Sequence, residues 1–192
     1  MFNLTVDEVK ELSKKYNMIP LTIECYADID TPISVFKRMQ TEKDCFLLES
    51  IGQNHVTARF SFIGRNPFIS FKSLNDEITI SDYTGKTNTY KGKPMEELEK
   101  LIEKYKAPKL ENIPSFNGGA VGFFAYDIIR QYEHLPNINQ DDLHLPDMHF
   151  MLMDEIIAFD HMRQKIVIIV NIHAEGDIEN QYKKATGRLL DI

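Results

Sequence analysis

The sequence has little cysteine and no long apolar run, and each scarcity excludes a class of protein. Cys25 and Cys45 form no CxxC pair and have no nearby histidine at metal-ligand spacing. Two free thiols are typical of a reducing cytosol, although one disulfide between them stays open. No stretch approaches the ~20 apolar residues that span a bilayer, and the N-terminus lacks the basic start and apolar run of a secretion signal. We therefore expect a cytoplasmic protein without a membrane partner.

Basic residues are also fewer than acidic ones. The chain carries 22 lysines and arginines against 29 acidic residues, which gives a net charge of -7. Binding of nucleic acid through its phosphates needs a basic face, so we expect no nucleic-acid partner. The hydrophobic content of 43% is ordinary for a globular protein of this length. The composition therefore favours small-molecule or protein partners.

Familiar catalytic and metal-binding motifs are missing. The six histidines are scattered and form no HExxH pair, and TGKT at 84–87 lacks the glycine of a phosphate-binding loop because Ile80 occupies that position. The glycines of GGAVG at 118–122 indicate close backbone approach or a bulge. Asp154 and Glu155 lie within a predicted strand, so we expect opposite faces, with one acid solvated and one paired. We assign no catalytic, cofactor-binding or metal-binding residue.

Capping signals and periodicity predict four helices. Thr5 and Glu8 form a capping box that opens a predicted helix over 6–16. Proline at the first helical position, or an acid at the N-cap, indicates the other starts. These three helices begin at Pro32, Pro94 and Asp177.

Alternating apolar residues and turn signals predict more strands than helices. A short helical turn follows the strand at 118–127, and 134–147 is a predicted surface loop. Because hairpins recur, we expect the α+β class, a largely antiparallel β-sheet or sandwich with flanking helices. The predicted strands cover 21–27, 45–51, 57–63, 68–73, 77–90 (a hairpin), 118–127, 149–160 and 165–172.

Polar side chains interrupt the predicted strands CFLLESI and TARFSFI. Leu48 and Ser50 share one face of the first strand, and pairing of the two strands brings Ser50 or Glu49 close to Arg59. One interpretation is a Glu49–Arg59 ion pair at a solvated edge, worth only ~0–1 kcal/mol. The other is a pocket for a zwitterion, because an amino acid needs acceptors for its ammonium group and donors for its carboxylate. The residues alone leave both open.

Two longer motifs carry a family resemblance. LLES at 47–50 is followed by RFSFIG at 59–64, and FNGGAVGFFAYDIIRQYE occupies 116–133. The strands MLMDEIIAFDH and KIVIIVNI follow in matching order. Together these segments resemble the N-terminal signatures of anthranilate synthase component I, a family of chorismate-using synthases. The resemblance covers nearly the whole chain and implies the N-terminal part of that family's fold.

The resemblance also implies a function for the whole enzyme. Members convert chorismate to anthranilate and pyruvate with Mg²⁺ and ammonia, and a glutamine amidotransferase subunit supplies the ammonia. Tryptophan inhibits the reaction by feedback from a remote site. Carried over to this sequence, the LLES element assigns Leu48, Glu49 and Ser50 to that site, and the basic residue before the SFIG segment adds Arg59.

The resemblance further implies that the chemistry lies outside this chain. We expect 1–192 to be one N-terminal domain, with the C-terminal chorismate-binding catalytic domain absent and the chain alone inactive. The other wall of the tryptophan pocket belongs to that domain in the family. Two alternatives stay open: the related aminodeoxychorismate synthase component I of folate synthesis, whose inhibitor motif tends to depart from LLES, and a stand-alone amino-acid-binding module.

Overall fold

The computed structural model describes residues 1–39, 44–50, 59–135 and 142–192. The helices are α1 (Val6–Leu12), α2 (Pro32–Met39), α3 (Pro94–Glu103) and α4 (Ile178–Asp191), with a 3₁₀ turn at Tyr126–Gln131. The strands are β1 (Met18–Tyr26), β2 (Cys45–Glu49), β3 (Phe60–Arg65), β4 (Ile69–Leu74), β5 (Glu77–Asp82), β6 (Thr87–Lys91), β7 (Gly119–Phe124), β8 (Met148–Met153), β9 (Glu155–Asp160) and β10 (Lys165–His173).

The described chain divides into two compact units, each containing a five-stranded sheet. One sheet has the order β1-β10-β9-β3-β2 and the other β6-β5-β4-β8-β7. Antiparallel pairing and flanking helices confirm the predicted α+β class. The first unit comprises Met1–Pro67, Tyr105–Gly119 and Met153–Ile192, and the second comprises Phe68–Lys104 and Ala120–Leu152.

Helices cover one face of the sheet in the first unit. Val9 of α1 and Leu189 of α4 pack on alternating residues of β1 and β10, where Leu21 lies opposite Val170. Further along the same face, the apolar side of α2 packs on β3 and β9 around Ile63. Burial of one face fixes the register, because a slip of one residue would turn these side chains outward.

The second unit is built around a hairpin and a glycine-rich strand. The β5–β6 hairpin carries TGKT at its tip, where Gly85 has a φ of +84°, so this motif is a turn as predicted. In β7, a Cβ on Gly122 would meet the carbonyl oxygen of His149 and lie 2.7 Å from the Cα of Phe150. This confirms the predicted close approach of the backbone.

One predicted strand is two strands. The segment 149–160 bends at Asp154, and its halves join different sheets, β8 beside β4 and β9 beside β10. Sequence periodicity could not indicate the break because both halves are apolar and extended. The predicted antiparallel hairpin is confirmed for β9 and β10.

The predicted helix starts agree with the structure better than the predicted helix ends do. The capping box of Thr5 and Glu8 is formed, and Asp177 accepts hydrogen bonds from the first amides of α4. The first helix ends at Leu12 and not at residue 16 as predicted. At its observed end, the Ser13 hydroxyl donates a hydrogen bond to the Lys10 carbonyl oxygen. Among the helices that the structure describes, none has both the length and the apolarity to cross a bilayer.

Candidate functional site

The paired strands β2 and β3 position the residues that the sequence singled out: Leu48 and Glu49 end β2, Ser50 follows it, and Arg59 directly precedes β3. Leu48 lies opposite Phe62, and Glu49 lies opposite Ser61. Leu48 and Glu49 therefore lie on opposite faces of the sheet, as the alternation predicted. The predicted GQNH turn between the strands lies outside the described residues.

Three of the predicted site residues are open to solvent. Leu48 is 46% exposed although it is apolar, and Glu49 and Ser50 are exposed as well. Phe46, two residues earlier on the same face of the strand, is buried. The end of β2 therefore presents an apolar side chain, a carboxylate and a hydroxyl that a ligand can reach.

Aromatic rings adjoin Leu48 on its face of the sheet. Phe62 stacks on Phe60 with ring centroids 5.7 Å apart, and it meets the edge of Phe116 at 5.2 Å. Phe46 contacts the same Phe116 ring at 6.4 Å. Ring pairs in these geometries are stabilising and fix one another in place. Leu48 and Phe62 together offer a surface on which a planar aromatic ligand can pack.

Arg59 is bound to a different carboxylate from the one the sequence indicated. Its Nε and Nη2 donate to Asp160, with Nη2 to Oδ2 at 2.6 Å and Nε to Oδ1 at 3.1 Å. The interpretation of a Glu49–Arg59 ion pair is wrong, because Asp160 binds the guanidinium and the residue opposite Glu49 is Ser61. Adjacent strands offer two neighbours, and β3 also pairs with β9, which supplies Asp160.

Asp160 is a buried carboxylate with several donors. Besides Arg59, the backbone amides of Met162 and Arg163 donate to its Oδ1, each at 3.1 Å. Burial disfavours its charge, but the hydrogen bonds from Arg59 and these amides outweigh burial, so the pKa of Asp160 is lowered. The same pairing raises the pKa of Arg59. Both groups are therefore charged at neutral pH.

A cavity of about 410 Å³ opens beside this ion pair in the first unit. Arg59, Phe60 and Asp160 line one side, and Glu24 with Lys165 lines another. The described lining does not include Leu48, Glu49 or Ser50. The structure therefore brings Leu48 and Phe62 together but places Arg59 at a separate, more polar hollow.

The first unit also contains a cluster of paired charged residues that the sequence did not predict. Asp154 and Glu155 are 5% and 6% exposed, and the Arg188 guanidinium donates to both at 3.0–3.1 Å. His173 contacts Asp154 at 3.0 Å, and Arg65 donates to Glu155 at 3.1 Å. The expectation of one solvated and one paired acid is wrong, since both are buried and paired.

Partners distant in the sequence explain why this cluster was missed. Arg188 lies 34 residues from Asp154 and looks like a solvated helix residue in the sequence. The one available signal was an acidic pair inside a long apolar run, because acids are almost never fully buried unless they are paired. Burial disfavours the charge of Asp154, yet the hydrogen bonds from His173 and Arg188 outweigh it and lower the pKa of Asp154.

The described residues offer no group of three or more histidine, cysteine or acidic side chains that could hold a metal ion. His161 contacts the Ser61 hydroxyl at 2.7 Å and His149 contacts that of Ser70 at 3.3 Å. Cys25 and Cys45 are free thiols.

Comparison with known proteins defines the class. The family model for chorismate binding enzymes matches residues 43–189, and the chain belongs to this family. Anthranilate synthase component 1 of Acetivibrio thermocellus is 48% identical over the whole chain, and that of Aquifex aeolicus (strain VF5) is 34% identical over 98% of it. The chain spans 39% and 38% of the lengths of these two curated relatives.

A solved structure supports the same assignment. The crystal structure of anthranilate synthase component I from Streptococcus pneumoniae TIGR4 matches with a TM-score of 0.55 and 29% identity. The match covers 86% of this chain and 35% of that chain. The resemblance to the N-terminal region of anthranilate synthase component I is thereby confirmed.

Proposed function

We propose that this chain is the N-terminal regulatory region of an anthranilate synthase component I and carries part of its tryptophan feedback site. Leu48, Glu49 and Ser50 form this chain's side of the site. The observation that carries the proposal is the exposure of these three residues at the end of β2, beside the Phe62 ring, in a chain whose curated relatives are anthranilate synthases.

The chemistry of each group suits an amino acid with an indole ring. Leu48 and Phe62 provide an apolar surface for the ring. The Ser50 hydroxyl, on the same face as Leu48, can accept a hydrogen bond from the ammonium group. Glu49 faces the other way but is the last residue of β2, so we assign its carboxylate to the ammonium group at the open end of the strand, where a charge-assisted bond is the stronger kind. Arg59 is held by Asp160 through two of its nitrogens, so we assign it to the frame of the site rather than to the ligand carboxylate.

Inhibition by tryptophan is a coupling between two sites. A ligand shifts an equilibrium between conformations only by binding one of them more tightly than the other. We propose that tryptophan bridges the end of β2 and the part of the enzyme beyond this chain. It thereby favours an arrangement of the whole enzyme that turns over chorismate poorly.

The whole enzyme would form anthranilate and pyruvate from chorismate and ammonia in the cytoplasm. A glutamine amidotransferase subunit would supply the ammonia, and Mg²⁺ would assist the reaction. The described residues do not fit a magnesium site, because the buried acids Asp154, Glu155 and Asp160 are already paired with arginines. We therefore derive no catalytic step through the ion in this chain.

Replacement of Ser50 by phenylalanine in the full-length enzyme tests the proposal. A bulky side chain at Ser50 would fill the space for the ring, so tryptophan should inhibit chorismate turnover at least about tenfold more weakly. Asn88→Phe is a matched control, because Asn88 is also exposed on a strand but belongs to the second unit. Unchanged sensitivity of the Ser50→Phe enzyme to tryptophan would refute the site assignment.

A further inference from the structure

The turn between β9 and β10 contacts the start of β3 at three separate points. The backbone amide of His161 donates to the carbonyl oxygen of Arg59 at 2.9 Å. The side chain of His161 meets the Ser61 hydroxyl at 2.7 Å, and Asp160 binds the Arg59 guanidinium. The last residue of β9 and the first residue of the turn therefore hold both Arg59, which precedes β3, and Ser61, its second residue.

Asp160 makes the charged contact of the three. Its side chain is 4% exposed, whereas Arg59 is 35% exposed, so the carboxylate forms the buried partner of the pair. Surface pairs such as Lys91 and Asp76, which are 74% and 59% exposed, contribute little. A two-nitrogen contact of arginine with a buried carboxylate constrains geometry as well as adding energy. Asp160 thus restricts where the Arg59 guanidinium can lie.

A continuous series of contacts leads from Asp160 to the proposed inhibitor surface. The Arg59 guanidinium lies over the Phe60 ring at 4.7 Å from the centroid. Phe60 stacks on Phe62, and Phe62 lies opposite Leu48. Displacement of Arg59 would therefore release Phe60 and change the surface that Phe62 presents beside Leu48.

We propose that Asp160 is a positioning residue for tryptophan inhibition, which acts by holding Arg59 over Phe60 and thereby fixing the aromatic surface beside Leu48. This inference rests on the proposed function, since it concerns the same site. Asp160 itself lines the separate polar cavity and lies opposite Phe60 in the β3–β9 pairing. We assign its effect on the inhibitor surface to its hold on Arg59. It therefore sets how tightly the enzyme binds its inhibitor without contacting it.

The test is a double-mutant cycle in the full-length enzyme with Asp160→Asn and Arg59→Met. Asparagine keeps one oxygen for the amides of Met162 and Arg163 but loses the charge that binds Arg59. In each single variant, we expect the tryptophan concentration for half-inhibition to rise and kcat/KM for chorismate to fall. The fold-rise of the first should exceed the fold-fall of the second roughly tenfold. Because Asp160 acts through Arg59, the double variant should be no less sensitive than either single variant.

Asp82→Asn provides a matched control. Asp82 also ends a strand and accepts hydrogen bonds from backbone amides of its hairpin turn, those of Thr84 and Lys86, but it lies in the second unit. This control should keep normal tryptophan sensitivity. The inference is overturned if Asp160→Asn matches the control in tryptophan sensitivity, or if the Asp160 and Arg59 effects simply add.

A parallel assay of the Ser50→Phe variant tests the inhibitor site separately from the positioning role of Asp160. Relief of inhibition by Ser50→Phe together with normal sensitivity of Asp160→Asn would refute the positioning role and leave the inhibitor site standing. Normal sensitivity in both variants would refute the site itself. Thermal unfolding of each variant shows that the enzyme is folded at the assay temperature.

Discussion

At the scale of residues, the carboxylate of Asp154 illustrates how a buried charge depends on its partners. Arg188 and His173 both contact it within the first unit. Taking a carboxylate out of water costs several kcal/mol unless such partners compensate. Arg188 also binds Glu155, so these four residues act as one cluster, in which Arg188 fastens α4 to the start of β9.

This cluster predicts a stability that depends on pH. The pKa of Asp154 is lowered in the folded chain, so its contribution to stability is fully present above the unfolded value of about 3.9. It is lost as the pH falls through the folded pKa, because the proton then favours the unfolded chain. Asp154→Asn should lower the free energy of unfolding by about 3 kcal/mol at pH 7. The deficit should shrink towards pH 3.

Urea unfolding at pH 7, 5 and 3 measures this effect. The parent protein should lose stability on acidification more steeply than the Asp154→Asn variant. Asp82 provides the comparison, because its carboxylate has partners in an exposed hairpin turn and not in a buried cluster. Parallel curves for the parent and the Asp154→Asn variant would show that Asp154 does not bind a proton on unfolding in this range.

At the scale of elements, β7 depends on a glycine for its place beside β8. A methyl group at position 122 would collide with the backbone of His149 and Phe150. Gly122→Ala should therefore destabilise the protein by about 2 kcal/mol, since the neighbour is a backbone that cannot turn aside. Denaturant unfolding, or faster hydrogen exchange of the β7 and β8 amides, measures the loss.

Gly187 in α4 provides the matched glycine. A Cβ there meets nothing within 4 Å, so Gly187→Ala should stabilise the protein by roughly 0.5–1 kcal/mol through helix propensity. Equal effects of the two substitutions would contradict the account of β7.

The elements also show which features a sequence can predict. Thr5, Gly85 and Asp177 act through neighbours close in the chain, and their predicted roles are confirmed. Asp154 acts through partners 19 and 34 residues away and Arg59 through one 101 residues away, and their predicted environments were wrong. Local patterns encode capping and turn chemistry, whereas the choice of an ionic partner depends on which strands become neighbours.

At the scale of the whole molecule, the chain belongs to the chorismate binding enzyme family and exposes the end of β2, to which we assign a binding role. It spans about two fifths of the length of the curated relatives it matches. If tryptophan bridges this surface and the rest of the enzyme, this chain alone can make only part of the contacts. We predict that the 192-residue chain binds tryptophan weakly or undetectably and forms no anthranilate from chorismate.

The composition makes this prediction easy to measure. The chain contains no tryptophan, so the fluorescence of added tryptophan reports on the ligand alone. Its anisotropy should stay near that of the free amino acid when the 192-residue chain is titrated to concentrations that saturate the full-length enzyme. A large rise in anisotropy would contradict the bridging mechanism and favour a self-contained amino-acid-binding module.

Calorimetric titration of the full-length enzyme with tryptophan tests the central claim most directly. The account predicts that Ser50→Phe weakens tryptophan binding at least about tenfold, while Asn88→Phe binds like the parent enzyme. Tryptophan binding of undiminished affinity by the Ser50→Phe enzyme would contradict the claim that the end of β2 forms part of the feedback site.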